Sequence, residues 1–409
     1  MTSPAPTAAT SDFFFDPNAP GFNEDPFPVW AYMRENTPVY WWEPAQGWIV
    51  TNYEDVLTTL TDPRFSVEFR FYGPAHLSDE QLTPHQRLTK YGIFWLPVEA
   101  HDRVRAITAP LFTPRAVEPL RAAVRTYVAE LIDHIDGKPH CDLVSDFVLN
   151  YPVGAITRIL GVPGDRRPEF LRFAQGVLDA FYPAIDKDAF DSKTSYLTDG
   201  LPLVQQLIDD ARTHERPGLM SALANADKDG ERLTPDELLS MVGVIISAGS
   251  EPTRHLVLGA LYNLLRHRDQ LDILKQEPEL LPNAIGEVGR YDSMGKLNFP
   301  RFALEDLQIR GVPIKAGTPV FGVFSSALRD PEVFPDPERF DIRRDLHRTL
   351  LWSKGIHNCL GRPIAQMIAE EAIRAFIDRF PHAKLHSEPV YVADSFFRKM
   401  GSLTVDLGR

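Results

Sequence analysis

The residue best placed to do chemistry is Cys359, in the run Trp352-Ser353-Lys354-Gly355-Ile356-His357-Asn358-Cys359-Leu360-Gly361. Arg362-Pro363-Ile364-Ala365 and a strongly amphipathic stretch follow. A cysteine just ahead of a helix faces unpaired backbone N–H groups and the positive end of the macrodipole, and both favour thiolate. The flanking glycines permit a tight turn and close approach of a flat ligand. The competing reading is an inert cysteine buried at a helix start, a common place for a free thiol. A second pattern is Glu287 and Arg290, three apart on a predicted helix with the acid N-terminal, a spacing that lets them pair. Taken alone, such a pair is more often a solvated surface feature.

Helices must do most of the positioning. Apolar residues recur at helical spacing from Ala116 to Ile135 and again from Ile364 to Phe380. The clearest helix start is Thr234-Pro235-Asp236-Glu237, where Thr234 caps, Glu237 reaches back and proline suits the first helical position. From there an apolar run through Met241, Val244, Ile245 and Ala248 continues past Leu256 to Leu265. That predicts one long helix through the middle of the protein, interrupted once, at Pro252. Strand-like alternation is confined to Gly47–Thr51, Leu307–Ile314, Pro319–Val323 and Leu403–Leu407. With no repeat and no linker-like composition, the expectation is a single domain over residues 1–409, mainly α with small β-sheets.

Composition narrows the function. Apolar residues at 44% and charged residues at 24% exclude a disordered chain. Forty-three basic against 56 acidic residues argue against a nucleic-acid binder, which needs clustered cations. Two cysteines, Cys141 and Cys359, cannot supply an all-cysteine zinc or iron–sulfur site. No Lys or Arg precedes Arg34, and the most apolar stretch, Met241 to Gly249, is too short to span a bilayer. A cytoplasmic protein without a membrane segment is therefore expected.

The cysteine run resembles the haem loop of the cytochrome P-450 family, Phe-Gly-x-Gly-x-His-x-Cys-x-Gly with an Ala four residues on. Gly355, His357, Cys359, Gly361 and Ala365 fit, whereas Trp352 and Ser353 replace the family's Phe and first Gly. Further family elements occur in order along almost the whole chain. His101-Asp102-Arg103-Val104-Arg105 matches a His-x-x-x-Arg element, Glu287-Val288-Gly289-Arg290 matches Glu-x-x-Arg, and Pro337-Glu338-Arg339-Phe340 matches the segment supplying that pair's third partner. The resemblance implies a triangular α-rich fold and haem b ligated by Cys359. Gly361 would lie in the loop, and His101, Arg105, Arg301 and His357 would meet the porphyrin carboxylates. Glu287, Arg290 and Arg339 would form a buried structural set.

The same resemblance implies insertion of one atom of O2 into an apolar organic substrate. Electrons would come from NAD(P)H through a separate ferredoxin and ferredoxin reductase, to a protein expected to be a monomer. The central Ser247-Ala248-Gly249-Ser250-Glu251-Pro252-Thr253 is similar to the family's Ala-Gly-x-Glu/Asp-Thr-Thr, which helps deliver protons. Pro252 occupies the threonine position, so Glu251, Ser247 or Thr253 would have to stand in. The same departure keeps open a ring-coupling oxidase or a peroxide-driven enzyme, and a haem sensor remains the alternative outside catalysis. Carried over by position, Val244, Ser247, Ala248, Leu297, Phe299, Phe396 and Phe397 would line the substrate pocket. Phe69–Pro97 resembles the family's variable substrate loop and Asp179–Tyr196 its roof, while Lys354, Arg362, Arg343 and Arg344 could receive an acidic ferredoxin. In wording, the chain looks most like bacterial secondary-metabolite oxidases, macrolide epoxidases of the epothilone type among them.

Overall fold

The computed structural model describes residues 13–73, 76–181, 187–214, 216–392, 394 and 397–408, with only the backbone of 187–194. Its axis is the helix Pro235–Arg266, 32 residues long. The expected cap is in place: Thr234 Oγ1 accepts from Glu237 N at 3.3 Å, and Thr234 N donates to Glu237 Oε2 at 2.9 Å. The helix is buried almost all round from Ser250 to Leu265. It packs on Tyr151–Ile159, Arg167–Phe181, Leu281–Tyr291 and Arg362–Arg379. That burial explains why Pro252 does not end it. A proline inside a helix costs about 3 kcal/mol, and the apolar side chains buried on either side of the polar stretch, Ile246, Leu256 and Val257 among them, offset a good part of that. The helix continues across Pro252 as one element, Pro235–Arg266, with the proline inside it.

The other expected helices appear with local corrections. Arg362–Arg379 matches its apolar stripe. The Ala116–Ile135 stretch opens as a short turn, Pro114–Val117, then passes through a tight turn at Glu118–Leu120 before Arg121–Ile135 becomes regular. Pro119 lacks the N–H that a continuous helix would need there.

A five-stranded sheet flanks the helices, in the spatial order Val39–Trp42, Gly47–Val50, Pro319–Gly322, Arg301–Ala303, Phe65–Ser66. Gly47–Val50 and Pro319–Gly322 run parallel, with Ile49 opposite Phe321, and the remaining pairs are antiparallel. The alternation over Leu307–Ile314 resolves into a hairpin, Leu307–Ile309 with Val312–Ile314. Arg310 and Gly311 turn it at φ 49° and 78°, the left-handed pair that a two-residue hairpin loop requires. A three-stranded sheet joins His140–Asp142, Thr404–Asp406 and Lys384–Leu385. Among the described residues no helix is long and apolar enough to cross a membrane.

Candidate active site

Cys359 sits three residues ahead of the helix Arg362–Arg379, in a loop held mainly by its own backbone. Cys359 N donates to Trp352 O at 2.8 Å and Asn358 N to Gly355 O at 3.1 Å, while Asn358 Nδ2 reaches Ser353 O at 3.1 Å. Gly355 is required on two counts: its φ is +70°, and a Cβ there would lie 2.3 Å from Leu60 O. Ser353, where the family pattern has its first glycine, also adopts positive φ, at 58°. Burial pushes the Cys359 thiol up, against the backbone N–H groups of Gly361 and Arg362 and the cations of Arg105 and Arg362. The helix start therefore opposes desolvation without overcoming it. A coordinated metal ion removes the proton outright.

Above the thiol lies a largely apolar cavity of about 390 Å³. One wall is the loop itself, with His357, Asn358, Cys359, Leu360 and Gly361. The facing wall is the central helix, which contributes Met241, Val244, Ile245, Ser247, Ala248, Gly249 and Pro252. Phe94, Trp95, Phe181 and Phe299 form a connected aromatic group: Phe94 meets Trp95 edge-on at 5.2 Å, Trp95 lies 5.6 Å from Phe181, and Phe299 is 5.9 Å from Phe94. Phe397 closes another side and is shared with an adjoining cavity of about 220 Å³ lined by Leu297, Phe299, Arg301 and His357.

A flat dianion fits the groups at the junction of these cavities. Arg301 is only 7% exposed, and among the described residues no carboxylate partners it; burial pulls its guanidinium down to about 10. His357 is drawn to about 3 by burial and then by the neighbouring Arg301, His101 and Arg105. The His101 and His357 rings meet at 4.7 Å, and Arg105 donates to Asn358 O at 2.8 Å. So much positive charge and donor capacity, with so little buried negative charge to answer it, is costly unless an anion binds. The residues present thus suit a porphyrin with a soft metal at Cys359.

Of the residues singled out in the sequence, Val244, Ser247, Ala248, Pro252, Phe299 and Phe397 meet at the main cavity, and Leu297 lines the adjoining one. Phe396 and residues 182–186 of the Asp179–Tyr196 roof lie outside the described residues, as do the side chains of 187–194. Glu251 and Thr253 are not on the wall. Glu251 is drawn away from the cavity into an ionic group, where Arg254 Nη1 donates to its Oε1 at 2.7 Å, and His255 Nε2 and Lys399 Nζ stand 3.8 and 4.0 Å away. Glu251 Oε2, Thr253 Oγ1, Ser250 Oγ and His255 Nε2 are all buried without a hydrogen-bond partner among the described residues. Burial, with Arg254, Lys399 and Arg398 nearby, holds His255 down to about 3 and therefore neutral. His255 also rests on Phe397, ring to ring at 4.9 Å. Sequence reasoning missed His255, Ile156 and Phe112. Buried apolar positions on a helix read as core, and nothing in spacing marks which of them face a cavity.

Glu287 and Arg290 are fully buried and paired twice, at 2.7 and 2.9 Å. The third member differs from the expected one. Arg339 contributes its backbone carbonyl, which accepts from Arg290 Nη2 at 3.2 Å, while its own side chain is 64% exposed. Arg344 reaches Glu287 Oε1 instead, at 3.2 Å. The loop turns through positive φ at Asp336, and the carbonyls of Pro337 and Arg339 point inward at Arg290, which sends the Arg339 side chain outward. Arg344 and Arg343 are thereby engaged, the latter with Glu277, leaving Lys354 and Arg362 of the four cations expected to flank the loop.

The sequence profile of the cytochrome P-450 family matches residues 187–397. The chain belongs to that family and is a haem-thiolate monooxygenase, an enzyme that works with haem iron and O2, takes electrons from a redox partner and acts on small apolar molecules. It is 37% identical to the epothilone C/D epoxidase of Sorangium cellulosum, over 97% of this chain and 95% of that protein. The cytochrome P-450 monooxygenase PikC of Streptomyces venezuelae is 34% identical, over 90% and 87% of the two chains. Among solved structures, the epothilone D-bound cytochrome P-450 EpoK superposes with a TM-score of 0.90 at 36% identity, covering 97% of this chain and all of the other.

Proposed function

We propose that this enzyme epoxidises or hydroxylates an apolar, polyketide- or terpenoid-like secondary metabolite, on haem b held by Cys359. The observation that carries the reading is the apolar cavity between the Cys359 loop and the Val244–Pro252 face of the central helix. Relatives named as an epothilone C/D epoxidase, a mycinamicin IV hydroxylase/epoxidase and a polyketide-biosynthesis cytochrome P-450 support the substrate class. The bound haem supplies oxygen activation and transfer of one oxygen atom. His101, Arg105, Arg301 and His357 hold its carboxylates, and Phe94, Trp95, Phe299 and Phe397 exclude water and orient the substrate. Ser247 is the central-helix hydroxyl on the cavity wall, one turn before Glu251, and we assign it the wall-side proton contact. Glu251, paired with Arg254 and close to Lys399, is the carboxylate one turn further on, and we assign it the relay of protons toward Ser247. A ferredoxin receiving electrons from NAD(P)H through its reductase would dock near Lys354 and Arg362.

The test is a panel of neutral macrolides and polyketides scored by the substrate-induced spin-state change, followed by product analysis with a ferredoxin and reductase. A clear spin shift with mono-oxygenated product is expected for at least one macrolide. Binding only by small aromatic compounds, with coupled-ring products, would replace this reading with the ring-coupling oxidase. Faster turnover with peroxide than with the redox partner would replace it with the peroxygenase, which the proline at position 252 keeps in view.

A further inference from the structure

Outside the residues that line the haem pocket, the three-stranded sheet near the C-terminus gathers His140, Asp406 and His386 on one face. Asp406 stands directly opposite His140 in one ladder and opposite Lys384 in the other. His386 lies two residues past Lys384, so strand alternation returns it to the same side. Its backbone is fixed there by the bond from His386 N to Thr404 O at 3.0 Å. Both imidazoles aim the same nitrogen at the same oxygen: His140 Nδ1 is 3.1 Å and His386 Nδ1 2.9 Å from Asp406 Oδ1. The rings lie 5.3 Å apart, tilted by 45°.

These separations match the edges of a coordination shell. Ligands about 2.0–2.1 Å from one ion are ~2.9 Å apart at a right angle and ~3.3 Å apart at the tetrahedral angle. The two observed nitrogen–oxygen distances fall between those values. The ligand atoms all lie within 4.8 Å of one another, and two ligands on opposite sides of one ion are ~4.1 Å apart, so small rotations of two exposed rings close the set. Strand pairing fixes the three backbones beforehand, which lowers the ordering cost of binding.

We propose that His140, His386 and Asp406 form a binding site for a divalent transition metal of the zinc and nickel kind. The ligand chemistry sets the class. Two imidazoles and one carboxylate suit zinc, nickel or copper, whereas magnesium and calcium want oxygen ligands. Lys384 on the same face argues the same way: with a cation beside it, the site cannot hold an ion by negative charge alone and depends on bonds to nitrogen. The bound metal would tie the last strand, Thr404–Asp406, to His140–Asp142, which leads straight into the helical turn Leu143–Val148 beside the central helix.

The experiment uses the untagged, haem-loaded full chain, stripped with chelator and titrated with zinc chloride, nickel chloride and magnesium chloride by calorimetry. Zinc and nickel should each saturate at one equivalent, magnesium should give no binding heat, and zinc should raise the melting temperature of the native chain. His140→Ala, His386→Ala and Asp406→Ala should each weaken zinc binding by more than about tenfold and remove the thermal shift, since even partners of metal ligands contribute that much. His386→Gln, a milder change outside the strands, guards against a folding defect, and the haem spectrum of each variant should match the native one. No zinc binding by the native chain, full-strength binding by the variants, or equal binding of magnesium would each overturn the proposal.

Discussion

Replacing Glu287 by alanine tests the fully buried ion pair Glu287–Arg290. Glu287 accepts two bonds from Arg290, one from Asp341 N at 3.0 Å and one from Arg344 Nε at 3.2 Å, at zero exposure. The substitution strands the Arg290 guanidinium, which keeps only the carbonyls of Leu328, Pro337 and Arg339. Breaking one side of a buried pair costs about 3–5 kcal/mol, a large part of the roughly 5–15 kcal/mol that holds a domain together. Arg339→Ala removes only an exposed side chain 4.0 Å from Asp341 and should cost less than about 1 kcal/mol. Arg344→Ala should fall between them, because its side chain is 11% exposed yet its bond to Glu287 is one of four. The assay is urea unfolding followed by tryptophan fluorescence, with haem retention against temperature on the same samples. The expected order of loss is Glu287, then Arg344, then Arg339. An Arg339→Ala variant as unstable as Glu287→Ala would refute the geometry, and a stable, haem-loaded but inactive Glu287→Ala would move that residue into the chemistry.

Cys359→Ser should abolish the ferrous–CO band from which the family takes its name, and Cys141→Ser should keep it, since burial pushes the Cys141 thiol up to about 12 and leaves it inert. Arg301→Leu should weaken haem retention by the ~1.5–3 kcal/mol of a charged hydrogen bond, about tenfold to a hundredfold, measured by haem transfer to an acceptor protein; unchanged transfer would remove Arg301 from the propionate set. Glu251→Gln should slow O2-dependent turnover by roughly 10²–10⁴ with substrate binding little altered, read as product per NADPH; normal turnover would clear Glu251 of proton delivery. His255 is neutral in the folded chain at about 3 and near 6.5 when unfolded, so the unfolded state binds the extra proton and stability falls as pH drops below 6.5. Lowering pH from 7 to 5 should cost about 2 kcal/mol through this residue, and His255→Gln should flatten that part of the stability profile.

Local chemistry was readable in the sequence, and three-dimensional facing was not. The Thr234–Glu237 box and the glycine-flanked cysteine are written in neighbouring residues, and both appear at the expected positions. Glu251 illustrates the limit. Its position on the central helix follows from the apolar periodicity, but its side depends on Arg254, His255 and Lys399, the last of which comes from the far end of the chain. Arg339 and Arg344 differ only in how a loop with one positive-φ residue turns, which composition does not disclose. The sheet order was equally hidden, because it joins strands from both ends of the chain. The Leu307–Ile314 hairpin was missed for a simpler reason: its two-residue turn sits inside what reads as continuous alternation.

The parallel pairing of Gly47–Val50 with Pro319–Gly322 has a consequence for how the protein is made. Tyr53 N, just past the first of these strands, donates to Asp330, 277 positions further on. At the roughly 5–20 residues per second of synthesis, that partner arrives about 14–55 s after Tyr53. Until then one edge of the hairpin Val39–Val50 has no strand to pair with, and an open edge is a template for aggregation. Cys359 and the helix behind it emerge later still, so the haem loop cannot form before the sheet strands have been made. Contacts this distant make folding slow, and soluble expression should improve when translation is slowed or chaperones are supplied, more than when haem alone is added early.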